Sequence, residues 1–224
     1  RKSITYRCLR LVEKKVIQLA DKVLVRSPNA IEILAKRASV SFEKFSTVIN
    51  GRDPGPYNKI SDHIRTDNEF RLCYAGSLGP QYLPSKMLKI AIMLKSNIPN
   101  LVFNIYTGDI DYLNELLKNH GLSTANWISS RWLHPSDLPQ ALSECDLAFA
   151  LRAKAVSSLG VSPIKLGDYS LAGLPIIGND VSGSGKRLVD EGYMLDVNDD
   201  FDSILPWLRN IVSMERISLK KAIV

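Results

Sequence analysis

The chain has 224 residues, more than the ~100–200 usual for one domain and short of two average domains. It is 45% hydrophobic and 23% charged, ordinary globular usage that excludes disordered, collagen-like and low-complexity classes. Lys and Arg outnumber Asp and Glu by 29 to 23, a net charge of +6 that favours anionic partners, but the cations are scattered and no basic block of nucleic-acid type occurs.

The first segment places Cys8, Leu11, Val12, Val16 and Leu19 at helical spacing and reads as a surface helix ending near Ala20. Its start, Arg1-Lys2 followed by charged amphipathic sequence, has no apolar region of secretory-leader type, and a first residue other than Met points to a missing upstream segment. A short strand Val23–Val25, a helix from Ser27-Pro28 towards Arg37 and a strand Thr47–Ile49 follow. From Asn50 to Asn68 the sequence is polar, carries Gly51, Pro54, Gly55 and Pro56, lacks periodicity and reads as a linker.

Beyond it, apolar runs at Leu72–Ala75, Leu101–Tyr106, Trp127-Ile128, Leu147–Leu151 and Pro175–Ile177 alternate with helical periods through Leu83–Leu94, Ile110–Leu117 and Leu138–Leu142. The strand candidates are continuously apolar, as expected when helices cover both faces of a parallel sheet, so the fold class is α/β with a doubly wound parallel sheet. A last amphipathic stretch through Ile204, Leu208 and Ile211 closes the chain as a helix. Apolar runs such as Ile90–Leu94 and Leu147–Leu151 are far shorter than the ~20 residues of a membrane span. Cys8, Cys73 and Cys145 are odd in number and form no CxxC pair, which argues against structural zinc and a disulfide framework and for a reducing, cytoplasmic setting.

Ligands of doubly wound sheets collect at the carboxyl ends of strands, where three turns are chemically loaded. Gly76-Ser77-Leu78-Gly79 follows the strand ending at Ala75, and its amides are either a phosphate cradle or a plain tight turn. Ser162 and Pro163 suit the start of a helix through Ile164, Lys165 and Asp168 to the terminator Gly173, whose amino end is an anion site. Asp168 lies five residues beyond Pro163, about 7.5 Å along the axis; it either accepts hydrogen bonds from ribose hydroxyls or is a solvated surface carboxylate. Gly183-Ser184-Gly185-Lys186 imitates a P-loop, but Asp180 and Arg187 stand where that pattern needs Gly and Ser or Thr, so it is a loop leading into a helix with Leu188 and Val189.

His63, His120 and His134 form no metal-ligating spacing, Ser158 and Ser162 sit in no nucleophile elbow, and Asp109 and Asp111 start a helix more readily than they form a catalytic pair.

The segment from Ser162 to Ile177 resembles the donor-site signature of retaining nucleotide-sugar glycosyltransferases of family 4, or group 1, with the two-Rossmann-domain (GT-B) fold. Further pieces are similar in the same order: Glu13 to Ser27, Val48 to Asp53, Tyr74 to Gly79, and Leu138 to Leu147. The resemblance implies transfer of a sugar from a nucleotide-diphosphate sugar to a glycan or lipid-linked acceptor in surface polysaccharide biosynthesis, without metal or cofactor. It implies that Gly76, Ser77, Leu78 and Gly79, with Ser162, Pro163, Ile164 and Lys165, hold the diphosphate. Arg131, Trp132 and Leu133 would meet the base, and Asp168 the ribose. It also implies a division into residues 1–50, the remnant of an acceptor-side domain; 51–206, the donor-binding domain; and a C-terminal helix over 207–224. Catalytic residues are expected largely in the missing N-terminal part.

Three positions depart from the family pattern. Gly160 stands where the first motif Glu would contact the sugar, and Ser77 and Tyr82 stand where many relatives carry Arg and Lys. Lys86, Arg152 and Lys165 are the candidates for the missing charge. The competing readings are a non-catalytic scaffolding module, encouraged by these departures, and a nucleotide-sugar 2-epimerase. The basic balance is also compatible with peripheral contact at an anionic membrane surface.

Overall fold

The computed structural model describes residues 3–60, 67–197 and 201–212. The elements are, in chain order, α1 (Ile4–Leu19), β1 (Val23–Val25), α2 (Pro28–Ala38), β2 (Phe45–Thr47), α3 (Gly55–Asn58), β3 (Phe70–Ala75), α4 (Pro84–Asn97), β4 (Leu101–Tyr106), α5 (Ile110–Asn119) and β5 (Ile128–Arg131). They continue with α6 (Leu138–Ser143), β6 (Leu147–Ala150), α7 (Val156–Leu159), α8 (Ile164–Leu171), β7 (Ile176–Gly178), α9 (Lys186–Asp190), β8 (Met194–Asp196) and α10 (Ile204–Val212). They belong to two compact units. The first holds the chain up to Asn50 with Lys154–Pro163 and Val181–Ser184, and the second holds the remainder.

In the second unit, six strands pair in parallel in the order β5-β4-β3-β6-β7-β8. The continuous apolar runs are explained by burial on both faces: every residue of β6 and β7 is buried. On one face Leu72, Phe103, Ile105, Leu147 and Phe149 pack with Leu88, Ile90 and Leu94 of α4 and Leu113 of α5, Phe103 meeting Phe149 edge to face at 5.6 Å. On the other, Cys73, Ala148 and Ile176 pack with Ala141 and Leu142 of α6 and Leu166 and Tyr169 of α8. Strand order reverses direction between β3 and β6, and such a switch point opens a crevice at the carboxyl ends of the two strands, here at Gly76 and Arg152.

In the first unit, β1 and β2 form a two-stranded parallel sheet around which Ile17, Val25, Ala35, Ala38 and Phe45 are buried. Ser3 caps α1 by accepting the Tyr6 amide. Ser27 precedes α2 without capping it; its buried hydroxyl donates instead to the carbonyls of Leu159 and Ser182. The Gly183 turn, the P-loop imitation, is spent on structure. Its φ is +79°, Asn29 takes the Ser182 and Val181 carbonyls, and a Cβ on Gly183 would stand 2.9 Å from Asn29 Oδ1.

Several boundaries differ from the sequence expectation. The second strand is Phe45–Thr47, two residues early, because Phe45 is the buried residue whereas Val48 and Ile49 are exposed. Trp127-Ile128 becomes β5, Ile128–Arg131, an edge strand too polar for an apolar-run criterion. The short α7 and β8 carry too few apolar residues to stand out. The linker folds in part: α3 buries Tyr57, while residues 61–66, including His63, lie outside the described residues. The closing helix begins at Ile204, and residues 213–224 also lie outside them.

Gly178 sits in β7 where a Cβ would stand 2.9 Å from the Ala150 carbonyl oxygen and 2.7 Å from Met194 Cε. Gly178→Ala is therefore expected to destabilise the sheet by about 1–3 kcal/mol in urea denaturation; an unchanged midpoint would contradict this packing.

Candidate functional site

Helix α8 runs beneath the crevice and carries three polar side chains at the spacing of one face, Lys165, Asp168 and Tyr169. Tyr169 is fully buried, and its phenol oxygen accepts the amide of Ala75 at 2.9 Å, fixing the last residue of β3 to the helix. Asp168, only 6% exposed, is gripped from both sides. Arg52 donates Nε to Oδ1 at 2.8 Å and Nη2 to Oδ2 at 2.9 Å, and the Tyr57 hydroxyl donates to Oδ1 at 2.8 Å. Burial, then the bond to Asp168, pushes the Tyr57 phenol well above its ordinary value, which keeps it a donor. Asp168 is thus neither solvated nor open: both oxygens are held by the segment that the sequence suggested as a linker.

Lys165 meets a different set of side chains. Its ammonium lies 4.0 Å from the Tyr74 ring centre and 4.6 Å from that of Tyr82, and 3.5 Å from where a Cβ on Gly76 would stand. Arg152 approaches the Tyr82 ring to 5.5 Å, with its backbone clamped by Asn179 through two 2.7 Å hydrogen bonds. The Ala153 amide donates to the Gln81 carbonyl, so the loop after β6 and the Pro80–Tyr82 turn are tied together. Lys165 Nζ and Arg152 Nε are buried without a hydrogen-bond partner among the described residues. Two neighbouring cations with unspent donors form a strongly anion-attracting point. Burial first, and Arg152 second, pull the Lys165 pKa down to about 7.

The Gly76–Gly79 turn walls this point. Gly76 has φ +129°, open to glycine, and donates its amide to the Tyr106 carbonyl. The Tyr74 hydroxyl donates to the Ser77 carbonyl. Leu78 is fully buried and gives its amide to Asp109 at 2.8 Å, so its amide and side chain are committed to the protein. Asp109 ties down the turn instead of pairing with Asp111, a role without a sequence signal. Of the candidate cations, Lys165 reaches the turn at Gly76, and Arg152 lies over the Tyr82 ring. Lys86 is directed to the Val197 carbonyl and the Phe201 ring.

The expected base-contacting residues divide. Trp132 is 63% exposed, with Cδ1 3.6 Å from where a Cβ on Gly108 would stand. Arg131 stacks over Tyr106 and lines a cleft of about 450 Å³ with Arg71, Asn104, Ser129 and Glu144. Leu133 is half-buried against the α6 and α8 side of the core. Ser162 is buried in the first unit, where it meets Asn50: its hydroxyl accepts the Asn50 amide, and its carbonyl accepts Asn50 Nδ2 at 2.7 Å. Pro163 and the exposed Ile164 lie at the point where α8 begins. Gly160 has open space where a Cβ would stand, so packing does not demand glycine there. No cluster of three or more metal-ligating side chains occurs among the described residues. None of their helices is long and apolar enough to cross a membrane.

Sequence reasoning missed Tyr57 and Arg52 as partners of Asp168, and the rings of Tyr74 and Tyr82 as the walls around Lys165. Isolated aromatics and an arginine in a polar stretch carry no spacing signal. Asp168→Asn and Arg52→Met should each lower stability by about 1–3 kcal/mol, with a double-mutant coupling of at least about 1 kcal/mol in urea melts. Strictly additive effects would contradict the grip on Asp168.

No protein-family model and no curated protein matches the chain. Solved structures do. WaaG, a glycosyltransferase involved in lipopolysaccharide biosynthesis, is similar at TM-score 0.71 and 14% identity over 99% of this chain and 62% of WaaG. Anabaena HepE, solved with UDP-glucose, gives 0.65 and 15% over 98% and 67%, and the pneumococcal O-GlcNAc transferase GtfA, solved with UDP and GlcNAc, 0.58 and 20% over 95% and 38%. This chain therefore spans less than two thirds of WaaG, about two thirds of HepE and less of GtfA. The likeness shows the fold: an α/β chain with the Rossmann-like parallel sheet of GT-B glycosyltransferases.

Proposed function

We propose that the second unit binds the nucleotide-diphosphate sugar of a retaining glycosyltransferase, with the Lys165 and Arg152 cations receiving the diphosphate. The observation that carries this reading is the pair of buried, unspent cationic donors at the switch point of a GT-B-type sheet. A diphosphate supplies the charge that they lack, and the same cations would stabilise the diphosphate as it leaves the sugar. No metal or cofactor is needed for that step.

In this reading Gly76, Ser77 and Gly79 approach the phosphates as backbone, and the amino end of α8, from Ser162 and Pro163 to Ile164, adds its dipole. The exposed Trp132 ring offers the base a stacking face, with Arg131 and Leu133 beside it in sequence. Asp168 sets the position of α8, and contact with ribose would require one of its oxygens to accept a further bond. Uridine diphosphate sugars are the first candidates, since UDP-glucose and UDP with GlcNAc accompany the neighbours HepE and GtfA. Transfer of a hexosyl group with retention to a glycan or lipid-linked acceptor follows from the resemblance in Ser162–Ile177.

We assign residues up to Asn50 to an acceptor-side domain. Leu9, Val12, Val16 and Leu19 recur along α1 at spacings of three and four and are 59–82% exposed, and Leu24 of β1 is 68% exposed. A two-stranded parallel sheet with such faces is ordinarily covered by further structure. Acceptor binding and the remaining catalytic groups are assigned to the part of the neighbours' length that this chain does not span.

Calorimetry with uridine, guanosine and adenosine diphosphates tests the reading. Binding of at least one is expected, weakened about tenfold or more by Lys165→Met, since a charge-assisted hydrogen bond contributes about 1.5–3 kcal/mol. Lys186→Met, on an exposed α9 pair, should leave it unchanged. Binding of none of the three would contradict the proposal and favour a scaffolding module.

A further inference from the structure

The surroundings of Lys165 carry a consequence for how an anion enters. Among the described residues, strand β3 presents Tyr74 to its ammonium, the following turn presents Gly76, the Pro80–Tyr82 turn presents Tyr82, and the loop after β6 presents Arg152. On α8 itself the next titratable groups are Asp168, committed to Arg52 and Tyr57, and Tyr169, committed to the Ala75 amide. Asp109 is exposed and accepts the Leu78 amide. Among the described residues no carboxylate is paired with Lys165, and the charge that acts on it is the like charge of Arg152. Tyrosine faces attract a cation but supply far less than the hydration that burial removes.

Resting on the nucleotide-sugar reading above, we propose that the donor diphosphate and a proton enter this cage together, Lys165 taking its proton from solvent as the phosphate oxygens arrive. The uncharged amine is compatible with the aromatic walls and with Arg152, whereas the ammonium is stabilised by an anion beside it. A diphosphate supplies that anion, and protonated Lys165 in turn donates to a phosphate oxygen. Donor affinity is thereby linked to pH through a residue that makes no ion pair within the protein.

The sign follows from linkage. Lys165 in the free protein sits at about 7, and an adjacent anion raises its affinity for a proton. At pH below about 7 the amine is already charged and binding takes up little; above it, each binding event takes up close to one proton and affinity declines as pH rises. For the wild-type chain, affinity is expected to fall about tenfold between pH ~7 and pH ~8.5.

The test is calorimetry with UDP-glucose, GDP-mannose and ADP-glucose, whose diphosphates carry no proton that titrates near neutrality. It is run at pH ~8 in Tris and in HEPES, buffers of different ionisation enthalpy. The expected result is a binding enthalpy that changes with buffer by the equivalent of about one proton taken up, and loss of both that uptake and the pH slope in Lys165→Arg, which stays charged. Binding with the same enthalpy in both buffers overturns proton-linked entry while leaving donor binding intact. Uptake that persists in Lys165→Arg places the proton elsewhere and also overturns it. Binding of none of the three sugars overturns the nucleotide-sugar reading itself. Where Lys165→Arg fails to fold, Lys165→Met, which has no amine to protonate, takes its place: loss of the uptake is expected, and uptake that persists overturns the proposal.

Discussion

The fixing of α8 sets the arrangement at the carboxyl edge of the six-stranded sheet. One face of a short helix places three unlike polar groups within a turn of each other, and two of them are anchors. Tyr169 holds the end of β3 through its last amide, and Asp168 holds Arg52 and Tyr57 through both of its oxygens. With these two positions occupied, the helix has little freedom to rotate. Lys165, one turn earlier, is left with its ammonium beside Gly76 and between two aromatic rings. A group that would ordinarily extend to water is thus held in a place where its charge is unsupported.

This arrangement gives the sequence departures a physical reading. Ser77 and Tyr82 stand where resembling chains carry cations, and in the structure Tyr82 is the ring that Arg152 and Lys165 approach from their own elements. Positive charge at the crevice is brought by the loop after β6 and by α8, across the switch point from the turn after β3. The turn contributes conformation: Gly76 at positive φ, the Tyr74 hydroxyl on the Ser77 carbonyl and Asp109 on the Leu78 amide hold the backbone close to the cations. Gly160 differs in kind, since open space beside it shows that its small size is not imposed by packing.

The parallel α/β class, most strands and most helices could be read from sequence because burial on both faces writes itself as uninterrupted apolar runs, and helix faces as a period near 3.6. The glycine turn after β3 and α8 were readable for a related reason: glycine after a strand and Ser-Pro before a helix are local signals. The partners of those residues were not. Tyr74 reads as one more apolar strand residue, Arg52 lies in a stretch whose glycines and prolines indicate a linker, and nothing around Asp168 in the sequence points to Arg52 as its partner. Contacts between residues more than a hundred positions apart, such as Tyr57 with Asp168, leave no periodicity behind. Leu78 and Arg131 show the same limit at short range, since sequence does not show that the first is buried and that the second lines a cleft.

The central claim is that the unsupported cations are the diphosphate site, and a crystal structure of the chain with bound UDP or UDP-glucose tests it most directly. The account predicts phosphate oxygens at hydrogen-bond distance, about 2.7–3.2 Å, from Lys165 Nζ and in contact with the Arg152 guanidinium, with α8 still held by Asp168 and Tyr169. A nucleotide whose diphosphate lies away from both cations, with Lys165 still enclosed by Tyr74 and Tyr82 and unbonded, would contradict it.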